Sequence, residues 1–195
     1  MVGACPYPVP QGSQVLLEAT ARALQSRGHD VRLVVYGYGL GPDPEGLVIH
    51  RCARVPGAHR TAAGPSWGKP LQDAALTATL RRVARTCAVD VVYAHNYEGL
   101  AAALAARVRP VVYHAHNALA DELPHYFHGA RWAAAAGRML DRALPKRADR
   151  VVVPHDALAA YLIESGCRRD RVFVVPPPVD AEAFDADPSD AALPP

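Results

Sequence analysis

The chain reads as an α/β protein: a Rossmann-like, doubly wound parallel sheet with helices on both faces. Three observations predict this. Short apolar runs alternate with amphipathic helical stretches along the whole length, the pattern of strand–helix–strand units. The run at 31–36 is apolar throughout but for Arg32, as expected of a strand covered on both faces. Finally, 195 residues, half of them hydrophobic, suit one domain with a sizeable core.

The elements follow in order. Residues 2–5 form a short strand, and 6–12 a loop holding Pro6, Pro8 and Pro10. Ser13 is placed to cap a helix. From there to Arg27 apolar residues recur at Val15, Leu16, Ala19, Ala23 and Leu24, a helical period. Gly28 closes that helix in a left-handed conformation. Strands follow at 31–36 and 47–52, separated by the glycines and prolines of 37–46. Residues 54–70 read as a long loop with Gly57, Gly64, Gly68 and three prolines; loops of this length are often functional. A helix is expected over 71–87, a strand over 90–94, a helix over 100–107 and a strand over 110–114. A mixed segment runs to Gly129. A helix over 131–144, a strand over 150–153, a helix over 157–165 closed by Gly166, and a strand over 171–175 complete the series. Residues 1–184 are thus expected to form one domain and 185–195 a linker-like tail, poor in apolar residues.

Composition excludes several classes. A formal charge of +2 argues against a nucleic-acid partner, which calls for a concentrated basic stripe. No run reaches the ~18 apolar residues of a membrane span, and the start lacks a signal-peptide pattern, so the expected compartment is the cytoplasm. The four cysteines, Cys5, Cys52, Cys87 and Cys167, include no CxxC pair and read as small buried residues rather than a disulfide framework.

In a doubly wound sheet, ligands bind at the carboxyl ends of the strands, and that rule selects the candidate residues. Gly12 and Ser13 open the first helix, where backbone N–H groups and the helix dipole suit a phosphate; a tight turn is the plainer alternative. His95 and Asn96 end one strand, and His114, Ala115, His116 and Asn117 end the next. Positions two apart on an extended segment share a face, so His114 and His116 are expected to point the same way. Imidazoles there suit proton transfer, hydrogen bonds to hydroxyls, or a metal. A metal asks for a third ligand at usable spacing, and Asp121 and Glu122 offer only a loose pattern. In the long loop, Arg54, His59, Arg60, Trp67 and Lys69 put cations beside an aromatic, which suits a phosphorylated, sugar or lipid-headgroup acceptor; a solvated loop with Trp67 folded back on the core is the alternative. Arg131, Arg138 and Arg142, followed by Lys146 and Arg147, make a solvated helix face or a contact for anionic lipid.

Five segments, in this order, resemble the N-terminal domain of family 4 glycosyltransferases, the retaining group of GT-B fold. They are Gln11-Gly12-Ser13 at the first helix, LQSRGHDVRLV at 24–34, DVVYAHN at 90–96, PVVYHAH at 110–116 and ADRVVVPHDALAAYLIESGCRRDRVFVVPPPVDAEAF at 148–184. The last, ending in Val179-Asp180 and Phe184, is the most specific. The sequence departs from the family pattern at Ser13, where a second glycine is usual, at Pro177-Pro178, where Asn-Gly is usual, and at His155, where Ser is common.

The resemblance implies a transferase moving a sugar from a nucleotide-sugar donor to a sugar, polyol or lipid-linked acceptor. It implies retention of configuration, with no metal and no separate cofactor. Gly12 and Ser13 would touch the donor diphosphate. His116 would face the transferred sugar as the catalytic residue, and the leaving diphosphate would take the acceptor's proton. Arg60, Trp67, Lys69, His95 and Asn96 would hold the acceptor. The family's C-terminal nucleotide-binding domain would follow the crossover at 176–180. Without it the chain is expected to be an incomplete catalyst that needs a C-terminal-domain partner chain, acting in the cytoplasm or peripherally at the inner membrane face. A non-catalytic glycan-binding module is the alternative, and a His-ligated metal hydrolase a more distant one.

Overall fold

The computed structural model describes residues 1–57, 68–127 and 130–178. Thirteen strands and helices alternate, with two short 3₁₀ turns: β1 (Val2–Gly3), α1 (Gly12–Gln25), β2 (Arg32–Val35), β3 (Val48–Arg51), α2 (Lys69–Thr86), β4 (Val92–His95), α3 (Asn96–Ala106), β5 (Val111–His114), α4 (Leu119–Tyr126), α5 (Arg131–Ala143), β6 (Arg150–Val153), α6 (Asp156–Glu164) and β7 (Val172–Val174). The strands form one sheet in the order β3-β2-β1-β4-β5-β6-β7, and every pairing is parallel. The order reverses direction between β1 and β4, which makes that junction the topological switch point. The doubly wound α/β expectation is met.

Strand alternation splits the core in two. Leu33 and Val35 join Leu17 and Ala21 of α1 in one apolar cluster. Val34 and Tyr36 belong to the cluster on the other face, which also takes in Leu76, Leu80 and Val83 of α2, Leu100 and Ala103 of α3, and Leu158 and Leu162 of α6. The helices sit close because small residues line the contacts. A Cβ on Gly99 of α3 would stand 3.0 Å from the Val2 carbonyl oxygen, and one on Gly3 would stand 3.0 Å from a Leu17 methyl.

Three local expectations are corrected. Ser13 does not cap α1: Gln11 holds the N-cap position with no side-chain cap bond, and the Ser13 hydroxyl donates to Gln14 Oε1 at 2.6 Å. The helix expected over 100–107 starts at Asn96, directly after β4. Asn96 has φ 58°, and asparagine tolerates this left-handed conformation, so one residue turns strand into helix and no loop is needed. The mixed segment before Gly129 contains α4, with Pro124 inside it. Its first two free N–H groups, of Leu119 and Ala120, donate to the Asp141 carboxylate of α5 at 3.1 and 3.0 Å. The cap therefore comes from another helix. Gly28, by contrast, has φ 86° and takes the left-handed role expected of it just beyond α1.

All four cysteines are free. No helix among the described residues is long and apolar enough to cross a membrane. Helix α5 buries Ala133, Gly137 and Asp141 and leaves Trp132 and Met139 at 60% and 64% exposure.

Candidate functional site

The site lies at the carboxyl ends of β1, β4 and β5, where the strand order reverses. The loop between β1 and α1 is held from several sides. Tyr7 N donates to the Tyr38 carbonyl at 3.0 Å and Leu40 N to the Pro8 carbonyl at 2.7 Å. Arg51 Nη1 donates to the Tyr7 carbonyl at 2.5 Å, and the Tyr7 hydroxyl donates to Glu18 at 2.8 Å. Gly39 fits because any Cβ there would run into the Tyr7 carbonyl. The rigid loop delivers Gly12 and Ser13 as the first two residues of α1, whose N–H groups have no partner inside the helix. The space beside Gly12 is open: a Cβ there would meet nothing within 4 Å.

The histidines come next. Sheet register sets His95 beside His114, and Gly3 beside His95. His95 and His114 are each only 3% exposed, and His116 is half-buried. The three rings converge, with centroids 4.9 Å (His95–His114), 5.3 Å (His95–His116) and 5.1 Å (His114–His116) apart. His114 and His116 do share a face. His95 Nδ1 lies 3.1 Å from His116 Nε2, and the Tyr93 hydroxyl lies 3.4 Å from His114 Nδ1. The Nε2 atoms of His95 and His114 are buried without a hydrogen-bond partner.

Burial drives the protonation states. It pushes His114 down to about 4. Burial, with His114 close by, pushes His116 down to about 4. Burial and then the two neighbouring rings push His95 well below the usual histidine range. The cluster is therefore neutral at pH 7, a set of hydrogen-bonding or ligating nitrogens rather than a cationic patch.

Carboxylates of α2, α3 and α4 lie near one another. Lys69 opens α2 and pairs with Glu98 in the first turn of α3. The Tyr36 hydroxyl donates to Asp73 of α2 at 2.5 Å, and the Tyr126 hydroxyl donates to Glu122 of α4 at 2.9 Å. Burial raises both Asp73 and Glu122, and each also feels the charge of Glu98. Such half-buried carboxylates can accept hydrogen bonds from ligand hydroxyls.

Of the acceptor residues expected from sequence, Lys69 is at the site but engaged with Glu98. His95 lies beneath His116 rather than in the open, and Asn96 makes the turn into α3. Arg60 and Trp67 lie outside the described residues. Sequence reasoning did not pick out Asp73, Glu98 and Glu122 as a group. Glu98 carried the best signal, three residues after His95 at a strand end; Asp73 and Glu122 become neighbours only through packing.

Comparison with known proteins identifies the family. The sequence model of Glycosyltransferase Family 4 matches residues 10–183. Among solved structures, the fold is similar to that of Anabaena HepE in complex with UDP-glucose, with a TM-score of 0.59 and 19% identity over 97% of this chain and 46% of that one. The complex of HepE with UDP and glucose gives 0.59 and 19%, covering 97% of this chain and 47% of that one. The complex with UDP alone gives 0.58 and 20%, with the same 97% and 47% coverage. The chain thus spans about half the length of the structures it matches. No curated protein sequence matches it significantly. With the GT-B half-fold, a polar site at its switch point and a family match across almost the whole length, the chain belongs to Glycosyltransferase Family 4.

Proposed function

We propose that this domain is the acceptor-side half of a retaining glycosyltransferase and that it turns over only with a C-terminal nucleotide-binding half. The observation that carries this reading is the joint placement of a rigid, open helix N-terminus at Gly12 and a half-buried, neutral His116 at one strand-end site. Gly12 and Ser13 offer free N–H groups to the donor diphosphate. The His116 ring hydrogen-bonds a hydroxyl of the transferred sugar and positions its anomeric carbon; His95, 3.1 Å behind it, orients the ring. The bond from the anomeric carbon to the diphosphate oxygen breaks as the bond to the acceptor oxygen forms, and the diphosphate takes the acceptor's proton. Asp73, Glu98 and Glu122 accept hydrogen bonds from a sugar or polyol acceptor. UDP-glucose is the first donor to try, since HepE was solved with it.

The test is product formation from nucleotide-sugar donors and polyol, sugar or lipid-linked acceptors, with the chain alone and joined to a C-terminal half. Turnover is expected only in the joined form, with the anomeric configuration retained in the product's NMR spectrum. His116→Ala should lower kcat by about 100-fold, the scale of losing one transition-state hydrogen bond. An unchanged kcat in that variant, or an inverted product, would reject the assignment.

One observation also favours a membrane-associated acceptor. Trp132 and Met139 are exposed on α5 together with Arg131, Arg138 and Arg142, and the Trp132 ring lies tilted against Phe127, 4.7 Å between centroids. Apolar side chains among cations suit an anionic lipid surface. Sedimentation with anionic vesicles should be lost in a Trp132→Ala, Met139→Ala variant; sedimentation equal to that with neutral vesicles would dismiss the contact.

A further inference from the structure

We propose that a cavity between the last turns of α2 and α3 binds a phosphate-bearing small molecule through Arg81, Arg85, Arg107 and Arg109. Both helices start beside the Lys69–Glu98 pair and run away from it. The cavity therefore lies a helix length from that pair, ~27 Å along α2. Its volume is about 710 Å³, within the ~300–1,000 Å³ of small-molecule pockets. The four arginines share its wall with Val89 and Val108, and no carboxylate among the described residues lines it. The whole chain carries only +2, so four cations in one concavity are a local excess rather than a reflection of composition.

What each arginine already holds decides the case. Arg81 donates from Nε and Nη2 to the Ala106 and Ala105 carbonyls at 3.3 and 2.6 Å. It thereby satisfies the end of α3 and is fixed in the wall with Nη1 to spare. Arg109 pairs through Nη1 with Asp149 at 2.9 Å. The guanidinium groups of Arg85 and Arg107 have no hydrogen-bond or ion-pair partner among the described residues. Arg107 also holds the C-cap of α3 at φ 57°, a left-handed position where glycine is usual. Capping needs no side chain there; a guanidinium that meets an anion accounts for one. Guanidinium forks match phosphate oxygens two at a time, so two free forks beside two fixed ones suit a phosphate or diphosphate group. A phospholipid headgroup carries the same chemistry. A recessed wall with small apolar side chains, rather than large exposed ones, favours a soluble molecule.

The site stands whether or not the chain transfers sugar, and its test reads binding. The chain is titrated with inorganic pyrophosphate by calorimetry at physiological salt, where exposed charges are screened beyond ~8 Å. Saturable binding is expected. Arg85→Gln and Arg107→Gly should each weaken it by at least ~10-fold, the scale of losing a charge-assisted hydrogen bond. Arg107→Gly should keep the parent's Tm or raise it, since glycine suits the left-handed cap. Arg27→Gln, a substitution of an exposed arginine beyond α1, should leave binding unchanged. No saturable pyrophosphate binding overturns the proposal. Binding untouched by both Arg85→Gln and Arg107→Gly also overturns it and points to the helix start at Gly12. An equal loss in Arg27→Gln overturns it as general charge attraction. Sedimentation with phosphatidic acid vesicles that depends on Arg85 and Arg107, without pyrophosphate binding, overturns the soluble ligand in favour of a lipid headgroup.

Discussion

Two buried polar clusters in the same half of the molecule are treated in opposite ways. Asp141 of α5 is 4% exposed. Its carboxylate accepts from Leu119 N, Ala120 N and the Tyr161 hydroxyl at 3.1, 3.0 and 2.9 Å. One side chain thereby ties α4, α5 and α6 together. His95 and His114 are equally buried, yet each keeps an unpartnered nitrogen. A structural polar group has its partners within the fold, because an unmade bond in low dielectric is costly. A group meant for a ligand leaves that bond open. Satisfaction, more than burial, separates the scaffold of this domain from its site.

The sharpest way to break this contrast is Asp141→Ala. It strands two N–H groups of α4 and a tyrosine hydroxyl, so unfolding free energy should fall by about 3–5 kcal/mol, at ~1–3 kcal/mol per orphaned group with partial relaxation. Urea denaturation measures it, and a loss under 1 kcal/mol would mean that water replaces the carboxylate.

Acid should act on the histidine cluster next. Folded values near 4 for His114 and His116 lie below the ordinary 6.5. The unfolded chain therefore binds protons first as pH falls. The cluster's contribution to stability is complete above about pH 6.5 and is lost progressively toward pH 4. A single ring shifted this far is worth ~3 kcal/mol, and mutual coupling keeps the total below the sum. Denaturation of the chain at pH 7 and pH 5, compared with His114→Phe, isolates the term. A variant with the same pH slope as the parent would show that the titration lies elsewhere.

Gly137→Ala probes the packing that brings Asp141 to α4. Its Cβ would lie 2.6 Å from Ala120 Cα, backbone that cannot rotate away. A loss of ~1–3 kcal/mol is expected from overpacking, with Tm as the readout.

The smallest effect should come from His114→Phe at pH 7. Replacing a ring that carries an orphaned nitrogen with an apolar one of similar shape should change stability by under ~1 kcal/mol. A loss as large as that of Asp141→Ala would erase the distinction between the two clusters.

Much of this was legible from the residues in order. The alternation of apolar runs and helical periods located the seven strands, because burial on both faces demands such runs wherever they fall. Gly28 could be read as a left-handed position because its conformational freedom is a local property. His95, His114 and His116 could be read as strand-end residues for the same reason. The family likeness implied a donor-side role for Gly12, Ser13 and His116.

Other features were set only by tertiary contacts. The start of α4 was hidden because its capping carboxylate, Asp141, lies 22 residues beyond Leu119. Lys69, read as free for an acceptor, meets Glu98 from 29 residues away. His95 and His114 become neighbours through the β4–β5 register, and the carboxylates of α2, α3 and α4 gather only when those helices pack. Sequence by itself determined the seven strands and five of the six helices of the described residues, since periodicity and turn chemistry act over a few residues. Structure alone decided which of those ends meet and which polar atoms stay unpaired, since both depend on contacts between residues distant along the chain.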